Sequence, residues 1–199
     1  MARTARPAAP TLPLLMPRLI VREFVTQDVP ALEALLADPR VRQHAPLESR
    51  ALDAARRADR RPRNPRRTWE LAVLVRRSGR LIGACDLALA GRGEADLGYM
   101  LARRHWGHGY GTELARALVE FGFETLALRR MSAIVAVENE RSRRVLENAG
   151  LRWEGLTRRH IRAAGRSWDC HRYAIDRAQW QQSRALRRGA RGPIMRVEE

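Results

Sequence analysis

The period of the apolar residues changes several times along the chain, and each change marks an element. Arg18-Leu-Ile-Val-Arg-Glu-Phe24 alternates every second residue, as a first strand does. Asp28 stands as a helix cap with Pro30 in the first turn, and Ala31, Leu32, Leu35 and Leu36 carry the helix to Asp38-Pro39. A second helix is predicted over Glu48–Asp59, followed by a basic loop, Arg60–Arg67, that contains Pro62 and Pro65. Three strands then run as a meander, Trp69–Arg76, Arg80–Ala90 and Glu94–Ala102, parted by the turn signals Ser78-Gly79 and Gly91-Arg92-Gly93. A glycine-rich turn (Gly107, Gly109, Gly111) opens a helix over Thr112–Leu128. Met131–Val137 reads as a buried strand and Asn139–Asn148 as a short helix stopped by a left-handed Gly150. Leu151–Leu156 and Trp168–Ile175 are the last two strands.

Strand, two helices, three strands, helix, strand, helix and two strands make a mixed α/β (α+β) sheet. Its N-terminal half is antiparallel and helices flank it, so it is not a doubly wound sheet. The 199 residues suit one domain, expected over residues 17–180, with a disordered leader over 1–16 and a basic flexible tail over 181–199. Met16 is a candidate start, because the patterned sequence begins at Pro17.

Composition narrows the classes of function. The chain is 45% hydrophobic and 30% charged, as for a globular protein. No apolar run approaches the roughly 20 residues that span a bilayer, and Pro7, Pro10, Pro13 and Pro17 interrupt the only apolar stretch near the N-terminus. Cys85 and Cys170 lie far apart without Cys/His spacing, which argues against a disulfide framework or structural zinc and fits a reducing cytoplasm. There is no lysine, so the net charge of +16 is carried by 38 arginines. Such a charge attracts nucleic acid or acidic proteins, but no aromatic residues are interleaved with the arginines of the Arg60–Arg67 loop and the C-terminal tail, so they support a nucleic-acid surface only weakly. Arginine in place of lysine also follows from a GC-rich genome.

The strongest local chemistry is a strand, then Gly107-His-Gly109-Tyr-Gly111, then a helix. Glycines let the backbone approach a ligand closely, and the helix behind points its unpaired N–H groups into the turn, a site fit for a pyrophosphate. A phosphate-binding P-loop is ruled out for want of Gly-Lys-Ser/Thr. A dinucleotide site, with Glu138 on the ribose, fits less well: Thr112 stands where the third glycine belongs, and the turn follows an antiparallel meander instead of opening a βαβ unit.

Two longer stretches resemble the GCN5-related N-acetyltransferase (GNAT) superfamily, and within it the ribosomal-protein-alanine acetyltransferase (RimJ/RimL) type. Asp96-Leu-Gly-Tyr-Met-Leu-Ala-Arg-Arg-His-Trp-Gly-His-Gly-Tyr-Gly-Thr-Glu113 is similar to that family's "E-I-G-Y-x-L…W-G-x-G-[YI]-[AG]-T-E". Asn139-Glu-Arg-Ser-Arg-Arg-Val-Leu-Glu-Asn-Ala-Gly150-Leu is similar to "N-x-x-S-x-x-V-L-E-K-x-G-F". With Arg18-Leu-Ile-Val-Arg and Trp168 to Trp180 the likeness covers residues 17–180. Trp106 stands where many GNAT members carry Gln or Arg, which suits the RimJ/RimL type.

The resemblance implies an enzyme that moves the acetyl group of acetyl-CoA to a primary amine in a ternary complex, with no metal. The strand at Met100, Leu101 and Ala102 would splay from its parallel neighbour and pair with pantetheine. Gly107, His108, Gly109, Tyr110, Gly111 and Thr112 would hold the pyrophosphate, with Arg103 and Arg104 near the phosphates. Asn139 would bond the pantetheine arm and Ser142 would lie near the thiol. Asp96 is the first candidate general base, ahead of Glu138 and Asp86, and Ser142 the first candidate acid, with Tyr173 behind it. His105 and His108 are not assigned as bases. The acceptor is a protein N-terminus or a small amine, and a homodimer is compatible with the family. The alternatives are a non-catalytic CoA- or RNA-binding protein and a dinucleotide-binding enzyme.

Overall fold

A computed structural model describes residues 12–43, 48–58, 68–163 and 166–189. The elements are β1 (Leu14–Leu15), β2 (Leu19–Glu23), α1 (Val29–Leu36), α2 (Pro39–Arg42), α3 (Glu48–Arg56), β3 (Thr68–Val75), β4 (Leu81–Gly91), β5 (Glu94–Leu101), α4 (Tyr110–Glu124), β6 (Arg130–Ala136), α5 (Glu140–Ala149), β7 (Arg152–Ala163), β8 (Arg166–Asp176) and α6 (Arg177–Gly189). The strands form one sheet in the order β1-β2-β3-β4-β5-β6-β8-β7. Every neighbouring pair is antiparallel except β5 and β6.

Helices cover both faces of the sheet. Leu71 and Val73 of β3 pack with Leu114 and Leu118 of α4, while Ala72 and Leu74 pack with Leu32 and Leu35 of α1 and Ala51 and Ala55 of α3. A strand buried on both sides has no polar face to show, which is why Leu71-Ala-Val-Leu-Val75 is a continuous apolar run. β5 divides in the same way: Met100 faces α1 and α3, and Leu97 and Leu101 face α4.

The junction of β5 and β6 is short. Three rungs pair them, Glu94↔Arg130, Ala95↔Met131 and Asp96↔Ser132, and no rung follows. From Leu97 onward β5 keeps β4 as its partner and parts from β6, as the splay predicted for Met100, Leu101 and Ala102 requires. The fork opens toward the C-terminal end of β5, from which a 3-10 turn over Arg103–His105 leads to the glycine turn.

The structure differs from the sequence reading in several places. Leu14–Leu15 pair with Val21 and Ile20, and Met16 is buried, so the last residues of the expected leader belong to the sheet; residues 1–11 lie outside the described residues. The expected tail begins inside α6, which packs Trp180 on Phe123 with ring centroids 5.3 Å apart. Pro39, read as a stop, is the first residue of α2, whose cap is Asp38 accepting from the Arg40 amide at 2.9 Å. Asp28 does not cap α1. Its carboxylate takes both Arg22 Nη atoms, at 2.7 and 2.9 Å, and the Val25 amide at 2.9 Å, because a buried carboxylate needs a cation more than a helix end needs a cap. The turn does open a parallel crossover, β5-α4-β6, contrary to the reading that set the dinucleotide site aside on that ground. The basic loop Arg60–Arg67 lies outside the described residues.

Candidate active site

The fork is floored by Asp96. This residue occupies the last parallel rung, and Ser132 Oγ on β6 donates to its carboxylate. Above it, the main-chain edge of β5 that faces the gap has no ladder partner. That free edge ends before the turn: the Ala102 amide donates to Ile82 O at 2.7 Å, and Trp106 Nε1 donates to Leu101 O at 2.8 Å. The indole therefore holds the strand end from which the turn leaves. The Met100, Leu101 and Ala102 side chains are buried, and of their main-chain groups the Leu101 carbonyl and the Ala102 amide are already bonded.

Gly107 and Gly109 both have φ of 78°, a left-handed backbone that side chains resist, and Gly109 is the residue before α4. The first main-chain bond of the helix is the Glu113 amide to Gly109 O, at 3.1 Å. The amides ahead of it are the unpaired donors of a helix start, and they form the positive end of its dipole. Gly111 has a different task, since an added Cβ would lie 3.1 Å from Val145 Cγ2 and 3.6 Å from Tyr99 Cε2, so α4 and α5 approach each other there. His108 and Arg104 are exposed, Tyr110 and Thr112 half-buried. Arg104 Nε donates to His105 Nε2 at 3.2 Å. The His105 imidazole is held below its ordinary pKa, first by burial and then by the charges of Arg104, His108 and Arg80.

Arg18, part of the strand motif but without an assigned role from sequence, braces this turn. It donates through Nε to Glu113 at 2.6 Å and through Nη1 to His108 O at 2.8 Å, and lies over the Tyr110 ring at 4.6 Å. A groove of about 1070 Å³ runs beside it along α4 and reaches the turn at Gly109 and Thr112. A second cavity, about 520 Å³, lies between α1 and the end of β5, with Arg80, Arg103 and Arg104 on its walls.

The other lip of the fork is the start of α5. Asn139 Oδ1 accepts from the Ser142 amide at 3.1 Å and so caps the helix. The Ser142 hydroxyl lies 3.0 Å from the Tyr99 hydroxyl of β5, and the Arg141 guanidinium lies 5.2 Å from the centre of the Trp106 ring. Asp96, Ser142, Asn139 and the glycine turn thus border one gap. Tyr173 is turned elsewhere: its ring is buried in β8 and its hydroxyl donates to Glu147 Oε1 at 2.8 Å. Burial, with that carboxylate, raises its pKa. Glu138 lies in the turn between β6 and α5. Asp86 sits on β4 opposite Gly98 and is buried, with Arg50 Nη1 at 3.6 Å. Tyr99, Ser132, Arg18 and Arg141 escaped sequence reasoning as site residues. Tyr99 was within reach of it, since it stands inside the quoted motif.

Among the described residues no group of three or more His, Cys, Asp or Glu could hold a metal ion, and no helix is long and apolar enough to cross a membrane. Both cysteines are buried, and burial raises the pKa of the Cys85 thiol.

Residues 18–152 match the family model described as acetyltransferase (GNAT) domain. The chain is 29% identical over 166 residues to the uncharacterized N-acetyltransferase YoaA of Bacillus subtilis (strain 168), covering 79% of this chain and 93% of YoaA. It is 33% identical over 106 residues to the uncharacterized N-acetyltransferase p20 of Bacillus licheniformis, which is 52% of this chain and 60% of that protein. Among solved structures, RimJ of Mycobacterium smegmatis in complex with CoA-disulfide superposes with a TM-score of 0.72 at 26% identity, over 94% of this chain and 97% of RimJ. A GNAT-family acetyltransferase of Bacillus anthracis gives 0.70 at 25% identity, over 83% and 98%.

Proposed function

Since the chain belongs to the GNAT family and is an acetyl-CoA-dependent acetyltransferase, we propose that it acetylates a primary amine by direct transfer, with a polypeptide N-terminus as the first acceptor class to test and small amines as the second. The observation that carries this reading is the fork: β5 leaves β6 after Asp96↔Ser132, so its edge beyond Asp96 offers main-chain partners, and the glycine turn that follows Arg103–His105 offers an anion cradle. Pantetheine amides fit the former and a pyrophosphate the latter. The likeness to RimJ bound to CoA-disulfide supports the same ligand.

Bound acetyl-CoA supplies an activated acyl group; the chain supplies position and proton handling. The free edge of β5 orients the thioester, and the amides from Gly107 to Thr112 anchor its far end, so that the amine meets a fixed carbonyl. Asp96, at the base of the fork, takes a proton from the attacking amine, and the Ser132 hydroxyl fixes the orientation of its carboxylate. Ser142, held by the Asn139 cap, donates to the departing sulfur. Arg104, His108, Tyr110 and Thr112 line the approach of the phosphates. Tyr173, bonded to Glu147, serves the packing of α5 on β8 and takes no part in proton transfer.

The test is thermal stability with acetyl-CoA, with NADH and without ligand. A ligand at about 100 times its dissociation constant adds roughly 2.7 kcal/mol. A rise with acetyl-CoA and none with NADH is expected; the reverse result returns the dinucleotide reading. In the transfer assay, Asp96→Asn is expected to lower kcat about a hundredfold with the acetyl-CoA midpoint shift unchanged. Undiminished turnover in that variant assigns the base elsewhere.

A further inference from the structure

The bond between Tyr99 and Ser142 spans the gap on which transfer depends. Tyr99 lies three residues beyond the last rung of β5 and β6, and Ser142 lies in the first turn of α5. Their hydroxyls are 3.0 Å apart and share one hydrogen. Each partner is held from behind: the serine amide by Asn139 Oδ1, the tyrosine ring by the close packing at Gly111. A phenol is a stronger acid than an alkyl alcohol, so in such a pair the phenol donates and the alcohol accepts. Burial pushes the Tyr99 phenol up to about 12, so it keeps its hydrogen throughout the working pH range.

We propose that Tyr99 is a positioning residue whose phenol donates to Ser142 Oγ and so turns the serine's own hydrogen toward the sulfur of the bound thioester. This rests on Ser142 facing that sulfur, as in the acetyltransfer reading. When the amine nitrogen has bonded to the carbonyl carbon and the C–S bond breaks, the electron pair of that bond goes to sulfur. The Ser142 O–H then stabilises the thiolate. Its oxygen gains charge and is compensated by the phenol's hydrogen bond, and no proton leaves Tyr99. The amine's proton goes to Asp96. Without the phenol, the serine hydrogen is free to turn to other acceptors and the thiolate loses an oriented donor.

The experiment compares the whole protein with Tyr99→Phe, Ser142→Ala and the double variant. Phenylalanine keeps the ring that packs at Gly111. The first readout is the ultraviolet absorbance of the thiolate of bound CoA as pH is raised, which needs no acceptor. The bound thiol's pKa is expected to rise by roughly one pH unit in Tyr99→Phe and at least as far in Ser142→Ala, with the double variant matching Ser142→Ala. With an acceptor, kcat falls about five- to tenfold in Tyr99→Phe while KM for acetyl-CoA holds. A thiol that titrates in Tyr99→Phe as in the wild type overturns the proposal, as does a shift that adds to that of Ser142→Ala. Absence of any midpoint shift with CoA overturns the acetyltransfer reading, and this proposal with it. CoA binding with an unmoved thiol overturns the role of Tyr99 alone.

Discussion

Replacing Asp86 by asparagine is expected to stabilise the protein at pH 8 and to have little effect at pH 4. Asp86 lies inside the sheet, 5% exposed, under α3. Burial pushes its pKa from the ordinary 3.8 to about 7; Arg50 and the Gly98 amide oppose that shift, while Glu70 on β3 and Asp96 on β5 add to it. A carboxyl whose folded pKa lies above its unfolded pKa binds its proton more tightly in the native state. Its ionisation therefore removes stability as pH rises from about 4 to about 7, and the full loss is present above that window. The size is about 4 kcal/mol by the linkage relation, an order-of-magnitude figure. For a chain of this length that is roughly 10 °C in the midpoint at alkaline pH. Thermal melts of both proteins from pH 4 to 9 check it: the gap between them should open across the window. A gap independent of pH would mean that Arg50 keeps Asp86 ionised throughout.

The second large effect is expected at Gly83, beside the strand that parts from β6. A Cβ at this position would lie 2.2 Å from the Met100 carbonyl oxygen and 2.6 Å from Leu101 Cδ2. The first of these is main chain and has no rotamer to change, so β4 and β5 must move apart at the rung Gly83↔Leu101. Gly83→Ala is expected to cost about 3 kcal/mol, at the upper end of overpacking penalties. It should also weaken acetyl-CoA binding more than a surface change of equal stability cost, because Met100 and Leu101 set the edge of the gap. Melts with and without acetyl-CoA separate the two losses. A variant that melts like the wild type would show that the ladder has slack at this rung.

Local signals in the sequence were read where chemistry is local. Gly107 and Gly109 adopt the left-handed backbone their turn requires, Gly150 ends α5 with φ of 99°, and the meander β3-β4-β5 follows its turn residues. What went unread was settled by distant partners. Asp28 looks like a cap until Arg22 is beside it, and nothing near Tyr99 announces Ser142, 43 positions later. The insertion of β6 between β5 and β8 is likewise a matter of tertiary packing, so a meander concealed a parallel crossover. β1 has two residues, too few to show a period, and its place is set by Leu14↔Val21 and Leu15↔Ile20. The arginine-rich residues after Trp180 read as a flexible tail, yet they continue α6, in which Trp180 is buried and Arg184 pairs with Glu120 and Glu124.

The free edge of β5 and the glycine turn have a kinetic consequence. In the proposed binding mode both would hold parts of the ligand, pantetheine and pyrophosphate, that are the same before and after transfer. Interactions shared by reactant and product lower both free energies alike and leave the barrier between them unchanged. CoA should therefore be held about as tightly as acetyl-CoA. In that binding mode product inhibition is expected, with throughput following the ratio of acetylated to free CoA more closely than the amount of either.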